Sequence, residues 1–278
     1  IICLAFACVS AQRNMRGRKD LKVSNIEQFY LMVSPQASSE KGKIKLNAYI
    51  MIPSYALQFV KDNGGFKSSF EARIRLLDDE GNQLDNKSIS ETLLATDYLE
   101  TIRKSNWYFV EYDFHVKPGK YTIVSEVTDI DTRNSGLREK KVDLSKYKDE
   151  FILFPPQVMI DYTGTWQGEN RLMPSYQNEI SFQQSFIPIY VTGNVFSENY
   201  SLKLVLKDMD GISVSKLDTT FTNIDNYFTH QLNMPVAEVG GLRVELFVAL
   251  EQGNNSDEEV IELKIKRPGI SSYIRDID

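Results

Sequence analysis

Apolar and polar residues alternate along most of this chain. In KIKLNAYIMI, Ile44, Leu46, Ala48, Ile50 and Ile52 share one face of a period-two strand. Tyr55, Leu57 and Phe59 keep the alternation up to Asp62-Asn63-Gly64-Gly65, after which Phe70, Ala72, Ile74 and Leu76 resume it. Asn and Gly tolerate the positive φ of a tight hairpin, so this stretch reads as strand, turn, strand. DDEGNQ turns the chain again before Leu84, Tyr108, Val110, Tyr112, Phe114 and Val116. The second half has the same habit: Phe186, Pro188 and Tyr190; Leu202, Leu204 and Leu206; Leu242, Val244, Leu246 and Val248; Val260, Ile261, Leu263 and Ile265.

The order of signals also repeats. ARIRLLDDEG is matched by KLVLKDMDG, and PGKYTIVSEV by VGGLRVELFVAL, at an offset of one sandwich length. The fold class expected is therefore all-β, as two tandem immunoglobulin-like antiparallel β-sandwiches spanning 26–148 and 149–268. The boundary falls at polar SKYKDE and FILFPP, whose Pro pair cannot continue a sheet. After Arg267-Pro268-Gly269, Ile270, Ile274 and Ile277 fall at helical spacing, so 269–278 reads as the start of a helix leading to a further domain.

The first residues and the cysteine positions lead to the expectation of an exported chain. IICLAFACVSAQ is an apolar run with Val9 and Ala11 at the −3 and −1 positions of a cleavage site, so 1–11 reads as the end of a secretory signal peptide. A basic leader (12–25) with Arg13, Arg16, Arg18 and Lys19 follows. Both cysteines, Cys3 and Cys8, lie before the cleavage point, which leaves the mature chain without a disulfide or thiol ligand. A lipid-modified Cys8 is the competing reading. A net charge of −6, with one short basic cluster, provides no footprint for nucleic acid. Peripheral membrane association stays open.

Candidate chemistry is sparse. Three or four converging ligands make a metal site, and His115 and His230 stand alone in equivalent-looking strands. His115 shares parity with Glu111 and Asp113, on the polar face opposite Tyr112, Phe114 and Val116. Asp208 and Asp210 before Gly211 resemble half of a calcium loop, but ISVSKL supplies no further ligands, and a hairpin turn wants the same residues. There is no G-x-S-x-G elbow, no P-loop and no G-x-G-x-x-G, so the region is expected to be non-enzymatic and without cofactor. For a carbohydrate-binding alternative, Trp166 in Gly-flanked YTGTWQGEN, with Tyr162 and Tyr176, is the best set of stacking residues; Trp107 begins a strand and reads as packing. KPGKYTIVSEVTD (117–129) reads as a corner, with Tyr121 packing and Glu126 and Asp129 toward solvent or the next turn.

Three segments, IPSYALQFVKDNGGFKSSFEARIRLLDDEGNQLDNKS, PGKYTIVSEVTDIDTRNSG and RPGISSYIRDID, resemble in order and spacing the amino-terminal part of bacterial GWxTD domain-containing proteins. The resemblance is best over about 44–144, looser in the second sandwich, and good in the last dozen residues. It implies an exported protein of the periplasm or cell envelope of Gram-negative bacteria, with other envelope proteins as the expected partners, whose tail leads through a helical region to the signature domain. Gly164-Thr165-Trp166 is not that signature, and no residue here inherits a role from it. Two functions follow as expectations: a scaffold or protein-interaction region, or a positioning arm for an enzymatic domain beyond Asp278.

Overall fold

The structure, a computed structural model, describes residues 29–104, 106–162, 171–181, 184–196, 198–223, 225–236 and 242–266. Residues 1–25, read above as signal peptide and basic leader, with both cysteines, Trp166 and residues 269–278, read as the start of a helix, lie outside these residues. The rest is nearly all strand. The first half holds β1 (Tyr30–Ala37), β2 (Ile44–Pro53), β3 (Val60–Asp62), β4 (Gly65–Leu77), β5 (Gln83–Ala95), one short helix α1 (Tyr98–Ile102), β6 (Trp107–Val116), β7 (Lys120–Asp129) and β8 (Ser135–Asp143). The second holds β9 (Ile152–Leu153), β10 (Gln157–Tyr162), β11 (Arg171–Pro174), β12 (Glu179–Ser181), β13 (Phe186–Asn194), β14 (Glu198–Asp208), β15 (Ser213–Asn223), β16 (Tyr227–Pro235), β17 (Arg243–Gln252) and β18 (Asn255–Lys266).

In the first half, β1-β2-β6 form one sheet and β5-β4-β7-β8 the other, with β3 folded back on β4. Between them lie Leu46, Ile50, Ile52, Phe70, Ile74, Phe114, Ile123 and Val127, in a continuous core. The second half repeats the scheme: β10-β13-β16 face β15-β14-β17-β18 over Ile187, Val191, Leu202, Leu204, Leu206, Val244, Leu246 and Val248. Apart from the short β3–β4 pair, the five antiparallel pairings of the first half recur in the second. Even the irregularity recurs. The register slips between Leu76 and Leu77 in one hairpin and between Leu206 and Lys207 in the other. An Asp then closes the turn identically: Asp78 Oδ1 accepts from the N–H of Glu80 (3.0 Å) and Asn82 (2.8 Å), and Asp208 Oδ1 from those of Asp210 (3.0 Å) and Ile212 (2.8 Å). The glycine each turn needs sits at φ 85° (Gly81) and 81° (Gly211).

Parity fails where both alternating sets are apolar. In β13 the buried face is Ile187, Ile189 and Val191, and Phe186, Pro188 and Tyr190 turn outward; period two cannot choose between two apolar faces. Leu84, Leu242 and Val260 are exposed, the first because β5 is an outer strand with solvent along most of its length. Tyr55 lies in a single 3-10 turn (Ser54–Ala56), so the strand before the Asn63-Gly64 hairpin shrinks to three residues. Asp129 is buried rather than solvent-facing. Its carboxylate accepts from the N–H of Gln58 (2.7 Å) and Thr132 (2.9 Å), which fixes the turn into β8.

Candidate functional site

Two places gather more chemistry than the sandwich scheme requires: a seam between the two halves and a gap along β6. The seam starts in the linker. Ile152 and Phe154 enter the first core and Leu153 the second, as strand alternation dictates. Beside it, the outer face of β1-β2-β6 is not a solvent face. Tyr49, Met51 and Phe109 are buried there against Met173 of β11, and Tyr30 packs between Trp107 (5.7 Å) and Tyr176 (4.6 Å). Full burial of side chains this size contributes about 1.5–3 kcal/mol each.

A polar relay runs beside the aromatic cluster. Gln157 Nε2 donates to Ser34 Oγ; Gln36 Nε2 donates to Gln157 Oε1 (3.3 Å); Asn47 Nδ2 donates to Gln36 Oε1 (3.0 Å) and the Tyr49 hydroxyl (3.2 Å). The Ala37 N–H donates to Thr192 Oγ1 (2.8 Å). Every amide donor in the relay points one way, which leaves Asn47 Oδ1 at its end, buried and without a donor among the described residues. Burial, reinforced by Glu111, pushes the Tyr49 hydroxyl far up, and burial raises Tyr190 as well. Both stay protonated as donors at neutral pH. Between the halves remains a cavity of about 220 Å3, lined by Gln36, Asn47, Tyr49, Gln157, Met173 and Tyr190.

The second place is the gap between β5 and β6, about 460 Å3, lined by Ile89 and residues 108–113. Lys87 spans it. Its Nζ donates to the Asp113 carbonyl and lies 4.9 Å from the centre of the Phe114 ring. A lysine over a sheet's last strand discourages pairing with another chain.

The sequence-selected residues fall as follows. Trp166 is outside the described residues, as is the Tyr162 side chain, although Tyr162 ends β10. Tyr176 packs on Tyr30 in the seam, so its ring face is engaged. The Asp208 carboxylate accepts two backbone N–H bonds and Asp210 contributes its own N–H to that turn. Among the described residues no three His, Cys, Asp or Glu side chains converge as a metal site. The two histidines do occupy corresponding strands, but on opposite faces. His115 lies outside, its Nδ1 2.9 Å from Ser38 Oγ and 3.3 Å from Glu40, its Nε2 3.3 Å from Asp113. His230 lies inside, stacked on Phe221 at 3.9 Å.

The Ser38-His115-Asp113 set has the residue types of a hydrolytic triad without its arrangement. A triad gives one ring nitrogen to the nucleophile alone. Here Glu40 shares Nδ1 with Ser38, and the buried Ser38 hydroxyl also accepts from the Glu40 N–H (3.1 Å). The group clasps the β1–β2 turn onto β6. Sequence reasoning missed this clasp and the seam because each joins strands far apart in the chain. Ser34 and Gln36 at alternate positions of β1, with Gln157 opening β10, were the one signal in the sequence.

Comparison with known proteins gives little more. No family model and no curated protein matches. Among solved structures, the chain is similar to a glycosyl hydrolase family 2 member from Bacteroides cellulosilyticus (11% identity, TM-score 0.31, covering 80% of this chain and 27% of that one). It is also similar to latent PorU from Porphyromonas gingivalis (8%, 0.38, 91% and 22%) and to a tetra-tandem repeat in the extending region of a large adhesion protein (12%, 0.25, 86% and 50%). The chain spans half or less of each of these structures, and at such TM-scores the likenesses carry no argument about function.

Proposed function

We propose that this chain is a non-enzymatic scaffold or interaction region of an exported, envelope-associated protein, in which two immunoglobulin-like sandwiches form one stiff unit that engages other envelope proteins. The seam is the observation that carries this reading. A flexible pair of modules needs only a linker, whereas here a buried amide relay and an aromatic cluster join them. The immunoglobulin-like design is supported by the division into three and four strands and by Tyr121, at the start of β7, whose hydroxyl donates back to the Lys117 carbonyl (2.7 Å). The resemblance to GWxTD domain-containing proteins supports the exported location.

Solution scattering tests the central point. The wild-type profile should fit one fixed arrangement of the halves, and Gln157→Ala combined with Met173→Ala should broaden it toward a jointed pair. A wild type that already scatters as a jointed pair sinks the stiff scaffold, and hydrolysis of esters, peptides or glycosides by the purified chain sinks the non-enzymatic reading.

Carbohydrate binding keeps one observation in its favour, the seam cavity with its amides and tyrosine hydroxyls. It requires a tryptophan fluorescence response to glycans, and silence across a broad panel removes it.

A further inference from the structure

The internal duplication makes one insertion stand out. In the second sandwich β15 ends at Asn223 and β16 begins at Tyr227, so a very short link closes that connection. The corresponding link in the first sandwich runs from Thr96 to Asn106 and contains α1. The scheme does not need these extra residues. They nevertheless place large apolar side chains in water: Tyr98 is 60% exposed, Leu99 65% and Ile102 46%, with Leu94 (69%) and Tyr55 (38%) on the adjoining β5 end and 3-10 turn.

The turn that presents them is firmly built. Asp97 caps it through the Glu100 N–H (3.0 Å), and Glu100 reaches back past the cap to the N–H (2.7 Å) and hydroxyl (3.1 Å) of Thr96, one residue earlier than in a capping box. Buried Asn106 donates to the Glu100 carbonyl (3.1 Å), and Ser54 Oγ donates to the Arg103 carbonyl (3.2 Å). The two local acids are thus turned into the cap. The cations are not: Arg103 and Lys104 are exposed and, among the described residues, make no ion pair, and Lys61 on β3 is exposed likewise.

We infer that this tip is a membrane-docking surface that inserts Tyr98, Leu99 and Ile102 into the interfacial layer of an anionic bilayer, with Arg103 and Lys104 on the lipid phosphates. Area favours lipid over protein. Five such side chains, exposed to this degree, present on the order of 500 Å2, short of the ~800 Å2 per partner of a stable protein interface. An interfacial anchor needs only a few apolar side chains with cations beside them. The inference stands whether or not the two halves act as a stiff scaffold.

Co-sedimentation of the purified full chain with vesicles is the test. Wild type should pellet with phosphatidylglycerol/phosphatidylcholine vesicles, less with phosphatidylcholine alone, and less again as salt rises. Leu99→Asp combined with Ile102→Asp should lower binding roughly tenfold or more, and Arg103→Glu with Lys104→Glu should do the same on anionic vesicles only, since each surface cation contributes about a factor of five. Thermal melts check that the variants fold; the charge-reversal pair decides alone if the apolar pair does not. No binding by wild type overturns the inference. Binding unchanged in both variants also overturns it and moves the contact to the apolar residues 1–11. Self-association that the apolar variant abolishes, without any vesicle binding, makes a second copy the occupant instead and overturns it too.

Discussion

The two sandwiches share their pairings, their slipped hairpins and their Asp-capped turns, yet close the same gap differently. Between β15 and β16, Tyr200, Phe221, Phe228 and His230 stack into the opening, with ring centres 3.9–6.1 Å apart. Between β5 and β6 the opening stays, spanned by Lys87, and the connection above it grows into α1. The partner of Ile74 in β5 is Lys87, and the partner of Leu204 in β15, at the matching register, is Leu217. One scheme thus yields a sealed unit and an open one, and the choice rests on a few side chains at the sheet edge. The first sandwich, whose core also holds Phe70 and Phe114, has in addition placed Tyr49, Phe109, Trp107 and Tyr30 on its outer face, where they meet its neighbour.

The largest effect expected tests whether the cores are equivalent. Ile74→Ala and Leu204→Ala remove corresponding, fully buried side chains, and each should cost about 2–5 kcal/mol in urea unfolding. Costs that differ by more than the cavity spread would break the equivalence of the two cores. Next comes the seam. Gln157→Ala strips the relay of its central member and leaves Gln36 and Ser34 without that partner, so it should cost about 1–3 kcal/mol. It should also split a single unfolding transition into two. A single transition at unchanged midpoint would show that the relay does not couple the halves.

The strands and the duplication were legible because they rest on local rules. Alternation gives a strand and its buried face when the other face is polar, as in β4 or β17, and Asp-x-x-Gly gives the turn whatever surrounds it. β13 was misread because Phe186-Ile187-Pro188-Ile189-Tyr190-Val191 is apolar on both faces, and only its partners select Ile187 and Ile189 for the core. The seam and the Ser38-His115 clasp were illegible for a different reason. Gln36 and Gln157 are 121 residues apart, and no spacing rule links them. The two histidines show the limit most directly: corresponding strands, opposite parity, and therefore opposite surroundings.

A smaller effect comes from a polar group in the first core. Ser125 faces Ile74 across β4–β7, where Val248 faces Leu204 in the second sandwich. Its buried hydroxyl has no partner among the described residues. Ser125→Ala should therefore stabilise the first sandwich by about 1 kcal/mol, read as a raised urea midpoint, with Val248→Ala moving the second the other way. A destabilised Ser125→Ala would mean that the hydroxyl is satisfied after all.

The most modest difference expected is one of pH. Burial lowers the His230 pKa from its ordinary 6.5, and burial pushes the Tyr200 hydroxyl up to about 12. Tyr200 therefore keeps its proton, and its hydroxyl lies 2.5 Å from Nε2 of the His230 ring. Because the folded pKa lies below the unfolded one, the unfolded chain takes up protons first as pH falls. The contribution of His230 is then present in full above about 6.5 and declines as pH drops from there through the folded pKa. His230→Phe keeps a ring stacked on Phe221 but removes the titration, so unfolding midpoints of the second sandwich should flatten between neutral and mildly acidic pH, while His115→Phe should leave that slope in place. An unaltered slope in His230→Phe would locate the acid sensitivity outside the sealed aromatic stack.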